Sequence, residues 1–73
     1  MVYENISDLL IKLGIERSLV KPEVLLTDLG IDSTEMVELN LLLKNFFGCD
    51  LPKKWYYEKT VADLVGFVEK NIA

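Results

Sequence analysis

The sequence predicts an all-α fold, a small antiparallel bundle of three main helices plus one short helix, with a long loop between helices one and two. Apolar residues recur at three- and four-residue spacing in separate stretches, the period of a helix with one buried face. Glycines or capping residues stand at the ends of those stretches. The apolar-polar alternation of a half-buried strand is nowhere sustained.

Helix one is carried by Val2, Ile6, Leu9, Leu10 and Leu13, and Gly14 follows as a natural C-terminal stop. Residues 15–32 hold Pro22 and Gly30 among scattered apolar side chains (Ile15, Leu19, Val20, Val24, Leu25, Leu26, Leu29). They read as a connection pinned to the core, and Pro22-Glu23-Val24-Leu25-Leu26 is expected to supply a short turn of its own. Helix two runs from Ser33 to Phe47, turns Met36, Leu39, Leu43 and Phe47 toward the core, and ends at Gly48. After Pro52, Lys53-Lys54-Trp55-Tyr56-Tyr57-Glu58 has room for one or two helical turns, the expected short helix. The last helix begins at Thr60-Val61-Ala62-Asp63, a start resembling a capping box, and places Val61, Leu64, Val65, Val68 and Ile72 on one face.

Composition bounds what such a fold does. With 73 residues, 51% of them hydrophobic, the chain is expected to form a single domain spanning residues 1–73 around one core, too small for a deep enclosed active site. A net charge of −4, from 12 acids against 8 bases, argues against nucleic acid and for basic protein partners. Cys49 is the only cysteine, so no internal disulfide forms, and a reducing compartment is expected. The first residues lack a signal-peptide pattern and no apolar run is long enough to span a bilayer, so the expectation is a cytoplasmic monomer away from membranes. No catalytic residue and no metal site are expected. With no histidine in the chain, neither a serine nor Cys49 has an obvious activating base, and Cys49 reads as a small buried filler.

The informative stretch is Asp28-Leu29-Gly30-Ile31-Asp32-Ser33-Thr34-Glu35-Met36-Val37-Glu38-Leu39. Asp32 is suited to cap helix two, paired with Glu35 three residues on. Gly30 permits a tight turn just before the helix and leaves room for an approaching enzyme. Ser33 then stands at a helix N-terminus, where unpaired N–H groups and the macrodipole favour an anion.

In its ordered set of residues the chain resembles the acyl and peptidyl carrier proteins, the phosphopantetheine-binding carriers. The resemblance runs from helix one through Leu29-Gly30-Ile31-Asp32-Ser33 and Val37-Glu38-Leu39 to Phe47, Pro52 and Thr60-Val61-Ala62-Asp63-Leu64. It implies that Ser33 receives 4'-phosphopantetheine from coenzyme A through a phosphopantetheinyl transferase. It also implies that Asp32 helps that transferase engage coenzyme A and its metal. The chain would then be a substrate of other enzymes and hold acyl or aminoacyl groups as thioesters. Thr34, Val37 and Leu41, on a partly exposed face of helix two flanked by Glu35 and Glu38, are the expected docking residues for a transferase and for an acyltransferase, adenylating enzyme or ketosynthase. Electrostatic steering onto basic patches is the expected mode of encounter.

Several residues depart from the family pattern. Thr34 stands where Leu or Met is usual, Lys44-Asn45-Phe46 replaces acids late in helix two, and Lys53, Lys54 and Trp55-Tyr56-Tyr57 are atypical of bacterial fatty-acid carriers. These differences point to a stand-alone carrier in a dedicated polyketide, peptide or hybrid pathway, with a fatty-acid-synthesis carrier as the alternative. A non-covalent helical interaction domain is the rival from another class. The aromatic run reads as a cap on the end of the core with its polar tips in water, or as a patch that recognises a partner or the carried group.

Overall fold

A computed structural model describes residues 2–52 and 54–72. Its architecture is all-helical: α1 spans Val2–Lys12, α2 spans Ser33–Phe47 and α3 spans Val61–Asn71. α1 packs against both α2 and α3. The core gathers one stripe from each helix: Ile6, Leu9 and Leu10 of α1, Met36, Leu39 and Leu43 of α2, and Val61, Leu64 and Val68 of α3. Phe47 is half-buried against that core. Ile72 falls outside the predicted stripe; it lies just past the end of α3 and is 44% exposed.

The long connection is ordered by the bundle. Ile15, Leu26, Leu29 and Ile31 are buried in the same core as the helices. The turn expected near Pro22 is formed at Pro22-Glu23, where the Val24 N–H donates to the Lys21 carbonyl (3.1 Å), and two short 3-10 segments, Arg17–Leu19 and Leu26–Leu29, flank it. The Tyr3 hydroxyl donates to the Val20 carbonyl at 3.4 Å. At the far end the backbone is clamped to the start of α3. The N–H of Leu26 donates to the Lys59 carbonyl (2.8 Å), that of Val61 to the Val24 carbonyl (3.0 Å) and that of Ala62 to the Pro22 carbonyl (2.9 Å). Leu25 and Thr60 thus form an isolated antiparallel bridge without any strand on either side.

The short helix expected after Pro52 is not formed by residues 54–58, which wind through successive turns; Lys53 lies outside the described residues. Its absence has a local cause: Lys54 and Glu58 have φ of 61° and 59°, a left-handed geometry that cannot propagate a right-handed helix.

Both later helices start from complete capping boxes. In α3, the Asp63 N–H donates to Thr60 Oγ1 (3.1 Å) and the Thr60 N–H donates back to Asp63 Oδ2 (2.9 Å). The hydrogen bond from the Thr60 backbone holds the Asp63 carboxyl below the usual aspartate range. α2 ends where Gly48 turns left-handed, φ 71°, and donates its N–H to the Lys44 carbonyl at 3.0 Å. Immediately beyond, the buried Cys49 thiol faces the carbonyl oxygens of Phe47 and Val68, at 3.8 and 3.9 Å.

One further tie holds the segment after α2 against that helix. The Leu51 N–H donates to Asn40 Oδ1 (2.9 Å), and Asn40 Nδ2 donates to Asp50 Oδ1 (3.0 Å). Replacing Asn40 with Ala removes both bonds at once. We expect it to lower unfolding stability by about 1–3 kcal/mol and to speed hydrogen exchange at the Leu51 amide beyond what global destabilisation explains. Leu51 exchange that merely follows the global change would show that this staple is not made in solution.

Candidate functional site

The N-terminus of α2 is built to hold one serine outward. Leu29 and Ile31 are buried and anchor the approach from inside, while Asp32 and Ser33 emerge into solvent. Between the two anchors Gly30 takes φ 79° and reverses the chain at the end of the second 3-10 segment. Only glycine adopts that conformation without strain, and space remains open beside it.

Asp32 is the N-cap, as expected. Its Oδ1 accepts the Glu35 N–H at 2.8 Å, and its own N–H donates to Glu35 Oε1 at 3.4 Å, closing the capping box. Ser33 is therefore the first residue inside α2, and helical geometry leaves its N–H and that of Thr34 without intrahelical partners. The serine hydroxyl sits at the positive end of a fifteen-residue helix.

The expected docking residues share the exposed side of α2. Thr34 and Glu38 are exposed, and Val37 and Leu41 are 64% and 56% exposed, unusual for large aliphatic side chains. Glu35 is half-buried and partly committed to the cap, so Glu38 is the freer of the two carboxylates.

Sequence reasoning did not foresee what lies on the other side of the serine. A groove of about 350 Å³ opens directly beside Ser33, between Met36, Val37 and Asn40 of α2 and the segment after it. Leu51, Pro52 and the pair Tyr56-Tyr57 form the opposite wall, with Lys54 also on the lining. The two tyrosine rings stack at a centroid distance of 4.6 Å and an interplanar angle of 25°. The adjacent Tyr57 phenol raises the Tyr56 phenol above its ordinary pKa, with desolvation and the negative charge of Asp32 adding to the effect. The aromatic run thus divides its labour. Trp55 turns away to pack on Phe67 of α3 at 5.1 Å, with the Lys59 ammonium 5.7 Å from its ring, while Tyr56 and Tyr57 border the serine.

The family model for the phosphopantetheine attachment site matches residues 6–68, from the first buried residue of α1 to the last of α3. The chain belongs to this phosphopantetheine-attachment family. It is similar to an acyl carrier protein of Porphyromonas gingivalis, 36% identical over 74 aligned positions that cover 97% of this chain and 95% of the relative. It is also similar to an acyl carrier protein of Syntrophobacter fumaroxidans, 33% identical over 64 positions that cover 85% of this chain and 79% of the relative. Proteins of the phosphopantetheine-attachment family are carriers that bind 4'-phosphopantetheine covalently and do not themselves catalyse. They work with a phosphopantetheinyl transferase and with biosynthetic enzymes. No helix among the described residues is long and apolar enough to cross a membrane.

The residues around Ser33 fit such a group. An exposed hydroxyl offers the attachment atom, two unpartnered N–H groups favour the phosphodiester charge, and the adjoining groove has the size of a small-ligand site. The other serines fit less well. Ser7 Oγ is buried in α1 without a hydrogen-bond partner, and Ser18 lies in a three-residue 3-10 segment and does not line the groove beside Ser33.

Proposed function

We propose that this chain, as a single carrier domain, holds acyl intermediates on a 4'-phosphopantetheine group attached to Ser33. The observation that carries the assignment is the exposure of Ser33 at the capped N-terminus of α2, within the span matched by the attachment-site family. When bound, the group supplies a terminal thiol that carries the acyl chain as a thioester. In the loading step Ser33 Oγ bonds to the pantetheine-side phosphorus of coenzyme A, and the bridging P–O bond breaks. The adenosine bisphosphate half leaves with that electron pair, and the serine proton passes to a base of the transferase.

The chain's own residues prepare this step in three ways. Asp32 fixes the first turn through its cap, and Gly30 keeps the backbone clear for the transferase. The helix terminus then stabilises the new phosphodiester by about 0.3–1 kcal/mol, as expected for an exposed anion there. A direct role for Asp32 in engaging coenzyme A and its metal is compatible with this geometry, since the cap hydrogen bond is accepted by Oδ1 alone.

Docking on partners is assigned to Thr34, Val37 and Leu41 as the apolar and uncharged contacts, with Glu35 and Glu38 as the steering charges. The far end of α2 has a different character. Lys44, Asn45 and Phe46 are exposed, and the Lys12 ammonium lies 5.9 Å from the Phe46 ring centroid. A basic and aromatic end on α2, together with Thr34, supports a carrier dedicated to a polyketide, peptide or hybrid pathway over a general fatty-acid carrier.

Incubation with coenzyme A and a permissive phosphopantetheinyl transferase should add one phosphopantetheine to the intact mass. Ser33→Ala should add none while retaining its helical circular-dichroism spectrum. Addition to Ser7 or Ser18, or none to the wild-type chain, would remove the assignment.

Because Glu35 also serves the cap, steering is best tested with Glu35→Gln, which a capping box accepts, combined with Glu38→Lys. This variant should be modified more slowly by the transferase through a lower association rate, and added salt should slow the wild type more than the variant. Equal rates with equal salt dependence would exclude these charges from docking.

On the pathway reading, the phosphopantetheine-bearing chain should be a poor substrate for a fatty-acid malonyl transferase. Changing Thr34 to Leu and Lys44, Asn45 and Phe46 to Glu should improve it, by no more than the about 1–3 kcal/mol one recovered apolar contact supplies. Efficient malonyl loading of the unaltered chain would return the protein to the general carriers.

A further inference from the structure

Tyr56 and Tyr57 have no role in attaching the prosthetic group, yet they border the attachment serine. Trp55, beside them in sequence, packs on α3, whereas the Tyr56-Tyr57 pair stacks at 4.6 Å and lines the groove shared with Ser33. Tyr57 is 53% exposed, so its ring is not there to fill the core. Opposite the pair, Met36 and Val37 offer an aliphatic wall. Asn40 lines the groove as well, but both ends of its amide already serve the segment at Asp50 and Leu51. The exposed Lys54 also borders the groove; the rest is a slot with aromatic rings on one side and methyl groups on the other, groups that recognise shape and π-faces.

We propose that Tyr56 and Tyr57 are specificity-determining residues that hold a planar, conjugated or aryl acyl group in this groove. The proposal rests on Ser33 being the attachment point. A group tethered there stays at high effective concentration beside the groove, so modest contacts suffice to retain it. A flat π-system gains offset stacking on the tyrosine pair beyond its area burial, which a saturated chain of the same length does not. The groove, at about 350 Å³, lies at the small end of ligand-sized sites and suits a short acyl group.

The test loads the full chain from hexa-2,4-dienoyl-coenzyme A or hexanoyl-coenzyme A with a permissive transferase and confirms each product by intact mass. Two quantities are then read. The ring-proton resonances of Tyr56 and Tyr57 should move with the dienoyl group and stay nearly unchanged with the hexanoyl group. The dienoyl-to-hexanoyl ratio of thioester lifetimes against hydroxylamine should be about two- to tenfold larger in the wild type than in Tyr57→Leu, the range one ring contact supplies. If that variant loses its helical spectrum, the resonance comparison in the wild-type chain decides alone. Tyrosine resonances that respond equally to both groups, or to neither, overturn this proposal while leaving the Ser33 assignment intact. Failure to load by mass overturns the Ser33 assignment and this proposal with it.

Discussion

A chain of this size can bury only one core, and α1 is the element both other helices share. Ile6, Leu9 and Leu10 sit between the stripes of α2 and α3. Each buried apolar side chain contributes roughly 1.5–3 kcal/mol when removed from water, so the position of α1 sets where α2 and α3 can lie. No charged residue is buried among the described residues, and apart from the enclosed Ser7 hydroxyl oxygen in α1 the packing leaves no side-chain polar atom buried without a partner there. The polar chemistry of the molecule is free to gather at helix ends and on the outer side of α2.

The long connection makes that arrangement definite. A loop of this length carries a large conformational entropy, and here it is restrained at both ends. Leu26, Leu29 and Ile31 enter the core, and the backbone from Pro22 to Leu26 is bonded to residues 59–62 at the start of α3. The start of α2 and the start of α3 are consequently registered to one another through the loop. Asn40 adds the matching restraint on the segment after α2. Ser33 and the tyrosine pair therefore face one groove although they are more than twenty residues apart in the chain.

Most of the helical framework was legible because it rests on local rules. The α2 limits, Ser33 to Phe47, follow from Asp32 as cap and Gly48 as left-handed stop, and α3 follows from the Thr60-Asp63 box. The place of Ser33 as the first residue of α2 was legible for the same reason. Misreadings occurred where a local pattern was outvoted by distant contacts or by backbone conformation. Residues 54–58 have the composition of a short helix, but left-handed geometry at Lys54 and Glu58 interrupts it. Ile72 continues the apolar period of α3 beyond the point where the helix stops. The groove was invisible because its two walls come from separate segments. A single amide among Leu39, Leu41, Leu42 and Leu43 was the one available signal that Asn40 holds something in place.

Cys49 bears on the chemistry from a distance. It is the only cysteine of the sequence, it is 2% exposed, and its sulfur rests between the carbonyls of Phe47 and Val68. A thiol enclosed in this way is out of reach of an activated ester at the surface, and the chain has no imidazole to intercept one either. An acyl thioester at the surface therefore meets no side-chain thiol or imidazole of its host to which it can migrate, and among the host's own nucleophiles it is left with amines and hydroxyls, such as the Lys54 amine beside the groove.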